Sequence, residues 1–187
     1  RLDTLGKMDF TVPASLKATL RGYQVDGYQW LGSLEHLGLG GILADDMGLG
    51  KTLQMIAHIL ACVEAGDAKP TLVVCPASLV YNWTAELERF APSLDACAIV
   101  GAKAQRRVQI AGADEHNVVV TSYDLMRRDI DEYAEQDFAR VVLDEAQYIK
   151  NPLTQVARAA KRLPAGVRFA LTGTPIENRL SELWSIF

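Results

Sequence analysis

The stretch from residue 41 to residue 52 contains residue types that can bind a phosphate group. It reads Gly-Ile-Leu-Ala-Asp-Asp-Met-Gly-Leu-Gly-Lys-Thr, a short apolar run followed by a glycine-rich turn and a Lys-Thr pair. Gly48 and Gly50 allow backbone N–H groups to converge on an anion. Lys51 can then reach the outer phosphates of a nucleotide, and the hydroxyl of Thr52 can bind Mg²⁺. An ordinary glycine-rich turn before a helix would have a similar sequence.

A pair of carboxylates supplies the second part of this chemistry. Asp144 and Glu145 directly follow the apolar run at 141–143, so Asp144 is expected where a strand ends. With Thr52, Asp144 can hold a magnesium ion, and Glu145 can orient or deprotonate an attacking water. An acidic pair that only caps the next helix is the alternative.

Two other segments can contact a nucleotide. The Gln24 amide offers both a donor and an acceptor to an adenine edge, although a surface glutamine in the first turn of a helix would look the same. The segment Thr172-Gly173-Thr174 can detect the outer phosphate and relay its presence to another surface. A tight turn of small residues is the alternative for this segment.

The elements that must position these residues alternate along the chain. Short buried strands are predicted at 71–75, 96–100, 118–121, 140–143 and 167–171, in addition to the apolar run before residue 45. Helices are predicted at 24–37 and 53–63, from a Ser78 cap to Phe90, across 126–133, from an Asn151 cap through Pro152 to Leu163, and from Leu180 onward. This alternation predicts an α/β fold, a mostly parallel sheet flanked by helices on both faces, with the ligand crevice at the carboxyl ends of its strands.

Composition narrows the class of protein. The chain has 187 residues, 49% of them hydrophobic, and a formal net charge of −4, so its overall charge gives no indication of nucleic acid. The three cysteines Cys62, Cys75 and Cys97 lack metal-type spacing and are expected to be buried free thiols. Because the sequence contains no membrane-length apolar run and no signal peptide, no membrane partner is expected and an intracellular location is predicted, in the cytoplasm or nucleoid of a bacterium or in a eukaryotic nucleus.

Five motifs in order resemble the Swi/Snf-like family of superfamily-two helicase-type ATPases. They are Leu20-Arg21-x-Tyr23-Gln24, Asp45-Asp-Met-Gly-Leu-Gly-Lys-Thr52, Pro76-Ala-Ser-Leu79 with Asn82-Trp83, Asp144-Glu-Ala-Gln147 with Ile149-Lys-Asn151, and Leu171-Thr-Gly-Thr-Pro175. The end of the chain, from Glu177 to Trp184, is also similar to that family. Asp45 departs from the general phosphate-loop pattern, but it is the residue that this family usually carries there.

The resemblance implies a RecA-like P-loop lobe that binds ATP and Mg²⁺. The residues implied in ATP binding are Arg21, Gln24, Asp46, Met47, Gly48, Leu49, Gly50, Lys51 and Thr52, with Lys51, Asp144 and Glu145 catalytic and Thr52 and Asp144 as magnesium ligands. Those implied in holding one strand of duplex DNA by its backbone are Ser78, Asn82, Trp83, Thr121 and Ser122. Those implied in coupling ATP state to DNA movement are Gln147, Thr172, Gly173 and Thr174, with Gln147 where the family most often has a histidine.

The resemblance also implies partners outside this lobe. Residues 1–19 are expected to be an N-terminal lead-in and residues 20–187 the first RecA-like lobe, whereas the second lobe of the same protein, which carries arginines that complete the ATP site, is absent from this chain. Double-stranded DNA and a DNA-bound protein complex are the other implied partners. The lobe alone is expected to bind ATP weakly and to hydrolyse it very slowly.

Three other functions compete with the DNA motor. A superfamily-two RNA helicase shares the loop and the Asp-Glu pair, but Met47-Gly48-Leu49-Gly50 and Ile149-Lys150-Asn151 argue against it. A catalytically idle adaptor would have no need of Lys51, Thr52, Asp144 and Glu145. A P-loop kinase of small molecules explains neither the Leu-Thr-Gly-Thr-Pro turn nor the Tyr-Gln pair.

Overall fold

The structure is a computed structural model that describes residues 10–44 and 50–173. Its framework is a six-stranded sheet in which every pairing is parallel, with the strand order β1-β6-β5-β2-β4-β3. The strands are β1 (Gly41–Ala44), β2 (Thr71–Cys75), β3 (Ala96–Ala98), β4 (Val118–Ser122), β5 (Phe138–Leu143) and β6 (Ala165–Thr172).

Helices connect consecutive strands, as parallel pairing requires. They are α1 (Gly22–His36), α2 (Lys51–Glu64), α3 (Val80–Phe90), α4 (Lys103–Ala111), α5 (Tyr123–Arg128), α6 (Ile130–Ala134) and α7 (Gln155–Arg162). Short 3₁₀ turns lie at Ala77–Leu79, Ala113–Glu115 and Ala146–Ile149. Among the described residues, none of the helices has both the length and the apolar character needed to cross a membrane.

Two hydrophobic cores cover the two faces of the sheet. Val73, Val142 and Phe169 belong to the core beneath α1, α2 and α3. Their chain neighbours Leu72 and Val141 belong to the opposite core, with residues of α4 to α7. Because successive side chains of a strand point to opposite faces, strands buried on both sides read as continuous apolar runs. The predicted fold class, a parallel sheet with helices on both faces, is confirmed.

The register brings the ends of separate strands to one edge. Ala44 at the end of β1 pairs with Thr172 at the end of β6. Leu143 at the end of β5 pairs with Ala170 of β6 and with Val74 of β2. The residues that follow these strands therefore share one side of the sheet, where an open α/β sheet binds its ligands.

The helix predicted from Asn151 begins later in the structure. Asn151 Oδ1 accepts a hydrogen bond from the backbone N–H of Leu153 at 3.0 Å, which forms a turn. Thr154 is the actual N-cap, and its Oγ1 accepts from the N–H of Ala157 at 3.2 Å. The prediction was wrong because an asparagine can stabilise a turn by the same type of bond that it makes as a cap.

Two other helix predictions need correction. Ser78 lies in a 3₁₀ turn and makes no cap, and α3 begins two residues later at Val80. The single helix predicted across 126–133 is divided into α5 and α6 at Asp129. The Asp129 carboxylate accepts hydrogen bonds from Arg106 of α4 at 2.6 and 2.9 Å, so it is held by α4 at the junction. The helix predicted from residue 180 lies outside the described residues.

Candidate nucleotide-binding site

A cavity of about 510 Å³ opens at the carboxyl edge of the sheet. The motif segments that follow β1, β2 and β5, together with the start of α1, contribute its walls. The residues that line it are Arg21, Tyr23, Gln24, Gly50, Lys51, Thr52, Leu53, Leu79, Asn82, Glu86, Phe90, Asp144 and Glu145. The structure thus brings together the described residues predicted to bind the base, the phosphates and the metal.

Lys51 is a buried cation at this cavity. It is the first residue of α2, and only 6% of it is exposed. An ideal Cβ on Gly173 would lie 3.5 Å from Lys51 Nζ, so the ammonium group reaches the end of β6. Within the ranges 10–44 and 50–173 its Nζ has no hydrogen-bond or salt-bridge partner. A buried ammonium requires an anion, and a nucleotide phosphate at the N-terminus of α2 is suited to this position.

Gln24 lies directly against the end of the phosphate loop. It is 7% exposed, and its Oε1 accepts a hydrogen bond from the backbone N–H of Arg21 at 2.8 Å. Gly50 has a φ of 97°, and a Cβ there would stand 2.0 Å from Gln24 Nε2. The backbone conformation favours glycine here, and a Cβ would force the Gln24 amide to shift. This contact supports the alternative in which Gln24 belongs to the nucleotide site and argues against a plain surface role.

Asp144 is held on both sides of its carboxylate. Its Oδ2 accepts a hydrogen bond from Trp83 Nε1 at 2.7 Å, and its Oδ1 accepts from the backbone N–H of Glu145 at 2.9 Å. The backbone of Asp144 is also fixed. Its carbonyl accepts a hydrogen bond from the Tyr123 hydroxyl at 2.6 Å, and its N–H donates to the carbonyl of Val74 at 2.8 Å. Asp144 is thus a rigidly oriented carboxylate.

The electrostatics of Asp144 favour a cation nearby. Burial raises the pKa of Asp144, and this effect outweighs the hydrogen bonds from Trp83 and from the Glu145 backbone. Burial and the neighbouring Asp144 charge also raise the pKa of Glu86, which lines the same cavity. The carboxylates of Asp144 and Glu86 and the hydroxyl of Thr52, which all line the cavity, are the hard oxygen donors that Mg²⁺ prefers. The residues therefore fit a magnesium ion.

Glu145 and Gln147 form a hydrogen-bonded chain towards β6. Glu145 has a φ of 48°, the one positive value among the non-glycine residues of the described ranges. Its Oε2 accepts from Gln147 Nε2 at 2.5 Å, and Gln147 Oε1 accepts from the Thr172 hydroxyl at 3.3 Å. A strained residue at this position is typical of functional sites. The glutamine in place of the usual histidine still links the acidic pair to the end of β6.

Two of the predicted DNA contacts lie at the surface. Ser78 and Asn82 are exposed, and Asn82 also lines the cavity. They lie on the outer side of the 3₁₀ turn and the first turn of α3. Their polar side chains are available to a phosphate backbone.

The other three residues predicted to contact DNA, Trp83, Thr121 and Ser122, have buried side chains. Trp83 is 1% exposed and donates to Asp144. Thr121 is 0% exposed, and its hydroxyl donates to the carbonyl of Ile99 at 3.1 Å. Ser122 is 4% exposed and caps α5 by accepting from the N–H of Leu125 at 3.2 Å. These side chains make hydrogen bonds within the lobe, and their contact with DNA stays a prediction.

Some predicted residues lie outside the described residues, namely Asp46, Met47, Gly48, Leu49 and Thr174. Conversely, some residues of the site were not predicted, among them Tyr123 and Glu86. Tyr123, which holds the Asp144 carbonyl, follows directly after the predicted segment at 121–122, and this position was the available signal. Glu86 lies one helical turn beyond Asn82, on the same side of α3.

Comparison with known proteins extends these observations. The family model for the SNF2-related domain matches residues 23–187. A putative ATP-dependent helicase/translocase YwqA of Bacillus subtilis is 46% identical over 94% of this chain, and the TATA-binding protein-associated factor mot1 of Schizosaccharomyces pombe is 42% identical over 95%. A solved structure of the Sulfolobus solfataricus SWI2/SNF2 ATPase core in complex with dsDNA aligns with a TM-score of 0.84 and 41% identity.

These similarities cover nearly all of this chain but only part of each relative. The chain spans 19% of the Bacillus subtilis protein and 10% of the Schizosaccharomyces pombe protein. The structural alignment covers 95% of this chain and 37% of the Sulfolobus solfataricus chain. The expected resemblance is confirmed by the family model, by the relatives and by the fold, and the chain belongs to the family of SNF2-related domains.

Proposed function

We propose that this chain is the ATP-binding half of a DNA-stimulated, Swi/Snf-like motor that moves along double-stranded DNA or remodels protein–DNA complexes. The observation that carries the proposal is the cavity shared by Gln24, Lys51, Thr52, Asp144 and Glu145. These side chains come from three separate parts of the sequence, and each has the chemistry that one part of a Mg–ATP complex needs.

The roles follow from position. Gln24, beside Gly50, contacts the adenine edge, and the nearby Arg21 is exposed at the rim of the same cavity. Lys51 binds the outer phosphates with its buried ammonium group, which makes no direct salt bridge among the described residues although the Asp144 carboxylate interacts with its charge. The helix dipole of α2 adds a favourable field for the same phosphates.

Thr52 and Asp144 are the residues that would hold magnesium. When bound, the ion neutralises charge on the outer phosphates. Trp83 and the Glu145 backbone fix the Asp144 carboxylate before any ligand arrives, so little reorganisation is needed. Glu145 then orients the attacking water, and Gln147 fixes Glu145 by its hydrogen bond.

Double-stranded DNA is proposed as the nucleic acid along which the motor moves. Ser78 and Asn82 are exposed polar residues that can bind a phosphate backbone without reading its sequence. The related Sulfolobus solfataricus ATPase core was solved in complex with dsDNA, which supports duplex DNA over RNA as the partner of this chain. An intracellular location is proposed with it.

A second RecA-like lobe of the same protein is proposed to complete the site. Arginines supplied across such an interface accelerate phosphoryl transfer by about 10³–10⁵-fold. The 187-residue chain by itself is therefore expected to bind ATP weakly and to turn it over very slowly. Robust DNA-stimulated hydrolysis by the isolated chain would contradict this part of the proposal.

The test is the ATPase activity of the protein that carries this chain, measured with no nucleic acid, with duplex DNA and with duplex RNA. The proposal predicts stimulation by duplex DNA that exceeds stimulation by RNA. A larger effect of RNA would favour a superfamily-two RNA helicase. Absence of both ATP binding and hydrolysis would favour an adaptor that uses the same fold.

A further inference from the structure

The two segments predicted to face DNA also hold Asp144. Trp83 of α3 donates to Oδ2 of Asp144 at 2.7 Å, and Tyr123 at the start of α5 donates to its carbonyl at 2.6 Å. Trp83 is next in sequence to Asn82, an exposed residue at the cavity, but its side chain points into the core. Asn82, which is exposed on α3, and Trp83, which bonds to Asp144, are therefore adjacent residues of one helix.

We propose that Trp83 is a positioning residue that transmits DNA binding at α3 to the magnesium ligand Asp144. This inference rests on the proposed function, and it names how DNA regulates the same ATP site. The indole N–H of Trp83 is the one side-chain donor to the Asp144 carboxylate among the described residues. The proposed displacement of α3 by DNA would change the direction from which this donor reaches the carboxylate that, with Thr52, would hold magnesium.

The packing of α3 suits this role. On its inner face Val80, Trp83 and Leu87 are buried in the core beneath α1 and α2, whereas Tyr81 and Asn82 are exposed. The helix joins that core through one side of its surface, and in this proposal DNA bound to the opposite side displaces α3 as a rigid element. Because Trp83 belongs to α3 and donates directly to the Asp144 carboxylate, the proposed movement reaches Asp144 through this hydrogen bond.

The energetic scale is appropriate for a regulatory link. Partners that hydrogen-bond to a metal-ligating carboxylate typically change metal affinity or activity by about 10–100-fold when they are removed. A hydrogen bond to a charged group, with a net value of about 1.5–3 kcal/mol, gives the same range. Trp83 makes such a bond in a buried setting, where it is not screened by solvent.

Three substitutions separate the hydrogen bond from simple packing. Trp83→Phe keeps an aromatic ring but removes the N–H donor. Trp83→His keeps a ring N–H at a comparable distance from Cβ but loses the benzene ring. Trp30→Phe is the control, because Trp30 of α1 is 41% exposed and does not line the cavity.

The experiment measures ATP hydrolysis by the protein that carries this chain as a function of Mg²⁺ concentration, with and without duplex DNA. The half-saturating Mg²⁺ concentration does not depend on the fraction of folded protein, so partial unfolding of a variant does not obscure the result. We expect Trp83→Phe to raise this concentration about tenfold or more and to lose most of the DNA stimulation. Trp83→His should retain more of both properties, and Trp30→Phe should match the unsubstituted protein.

The inference is overturned if Trp83→Phe keeps the Mg²⁺ dependence and the DNA stimulation of the unsubstituted protein. It is also overturned if Trp83→Phe and Trp83→His reduce kcat equally while the half-saturating Mg²⁺ concentration stays constant, because that pattern indicates packing alone. If the unsubstituted protein itself shows no DNA stimulation, the proposed function has failed and not the role of Trp83. The two failures are therefore distinguishable.

Discussion

Gln24 occupies the space that a side chain at Gly50 would need. A Cβ at Gly50 would stand 2.0 Å from Gln24 Nε2, although the two residues come from different motifs. The N-terminal turn of α1 and the N-terminus of α2 are therefore in contact at the site where a nucleotide is expected. This relationship gives a direct way to disturb the site without removing a charged group.

Replacement of Gly50 by alanine is expected to abolish nucleotide binding. The added Cβ displaces Gln24, and the φ of 97° costs about 1–2 kcal/mol for a residue with a side chain. Gly66→Ala is a matched control, since Gly66 has a φ of 108° but nothing lies within 4 Å of its ideal Cβ. Titration with a fluorescent ATP analogue should show loss of binding for the first variant only. Equal binding by both variants would show that the close approach of Gln24 has no role.

Removal of the Gln147 amide is expected to slow hydrolysis without weakening ATP binding. Gln147→Leu breaks the link between Glu145 and Thr172, and loss of one or two hydrogen bonds corresponds to about tenfold in kcat. Gln147→His retains a donor and an acceptor and should remain close to the unsubstituted protein. Steady-state kinetics of the DNA-stimulated reaction make this comparison. An unchanged kcat for the leucine variant would remove Gln147 from the coupling path.

A buried ion cluster near the amino ends of β2 and β5, at the edge of the sheet opposite the cavity, is expected to control stability. Arg140 is 1% exposed and donates to Glu35 at 2.7 and 3.0 Å and to Asp67 at 2.7 Å. Arg140→Met removes the one ion-pair partner that Asp67 has among the described residues and leaves Glu35 with His58 alone, so it should lower the free energy of unfolding by about 3–5 kcal/mol in urea titrations. The matched control is Arg162→Met, because Arg162 is 53% exposed and its pair with Asp131 should contribute at most about 1 kcal/mol. Similar losses in the two variants would contradict this role.

The same cluster predicts a pH dependence of stability. Burial alone raises the pKa of Glu35, but hydrogen bonds from His58 and Arg140 outweigh burial and hold the pKa far below its usual range. A depressed pKa in the folded state contributes stability above the unfolded value of about 4.3, and this stability is lost as pH falls below it. The free energy of unfolding should therefore decrease from about pH 5 downward, with a shallower slope in Glu35→Gln. Equal slopes for both proteins would exclude Glu35 as the titrating group.

The fold and the nucleotide side of the site could be predicted from the sequence because their signals are local. Buried β-branched runs define the strands, Asp144 and Glu145 directly follow β5, and Lys51 and Thr52 begin the helix that comes after β1. Contacts between distant segments could not be predicted in this way. Trp83 and Asp144 are 61 positions apart, and their hydrogen bond depends on β5 lying beside β2, a strand order that spacing does not encode.

Trp83 also shows that neighbouring residues of one motif can have different surroundings. The helical period places Trp83 with Val80 and Leu87 on an apolar face, which is where the structure has it. The motif resemblance assigned the same residue to DNA because Asn82 beside it belongs to that segment. Neighbouring residues of a helix point in directions about 100° apart, so one motif can serve the surface and the core together.

The most direct test of the account is ATP binding by the protein that carries this chain, compared for the unsubstituted form, Lys51→Ala and Lys161→Ala. Lys51 is buried at the cavity, whereas Lys161 is exposed in the last turn of α7. The account predicts Mg²⁺-dependent ATP binding that is lost in Lys51→Ala and retained in Lys161→Ala, measured by isothermal titration calorimetry. Undiminished ATP binding by a folded Lys51→Ala protein would contradict it.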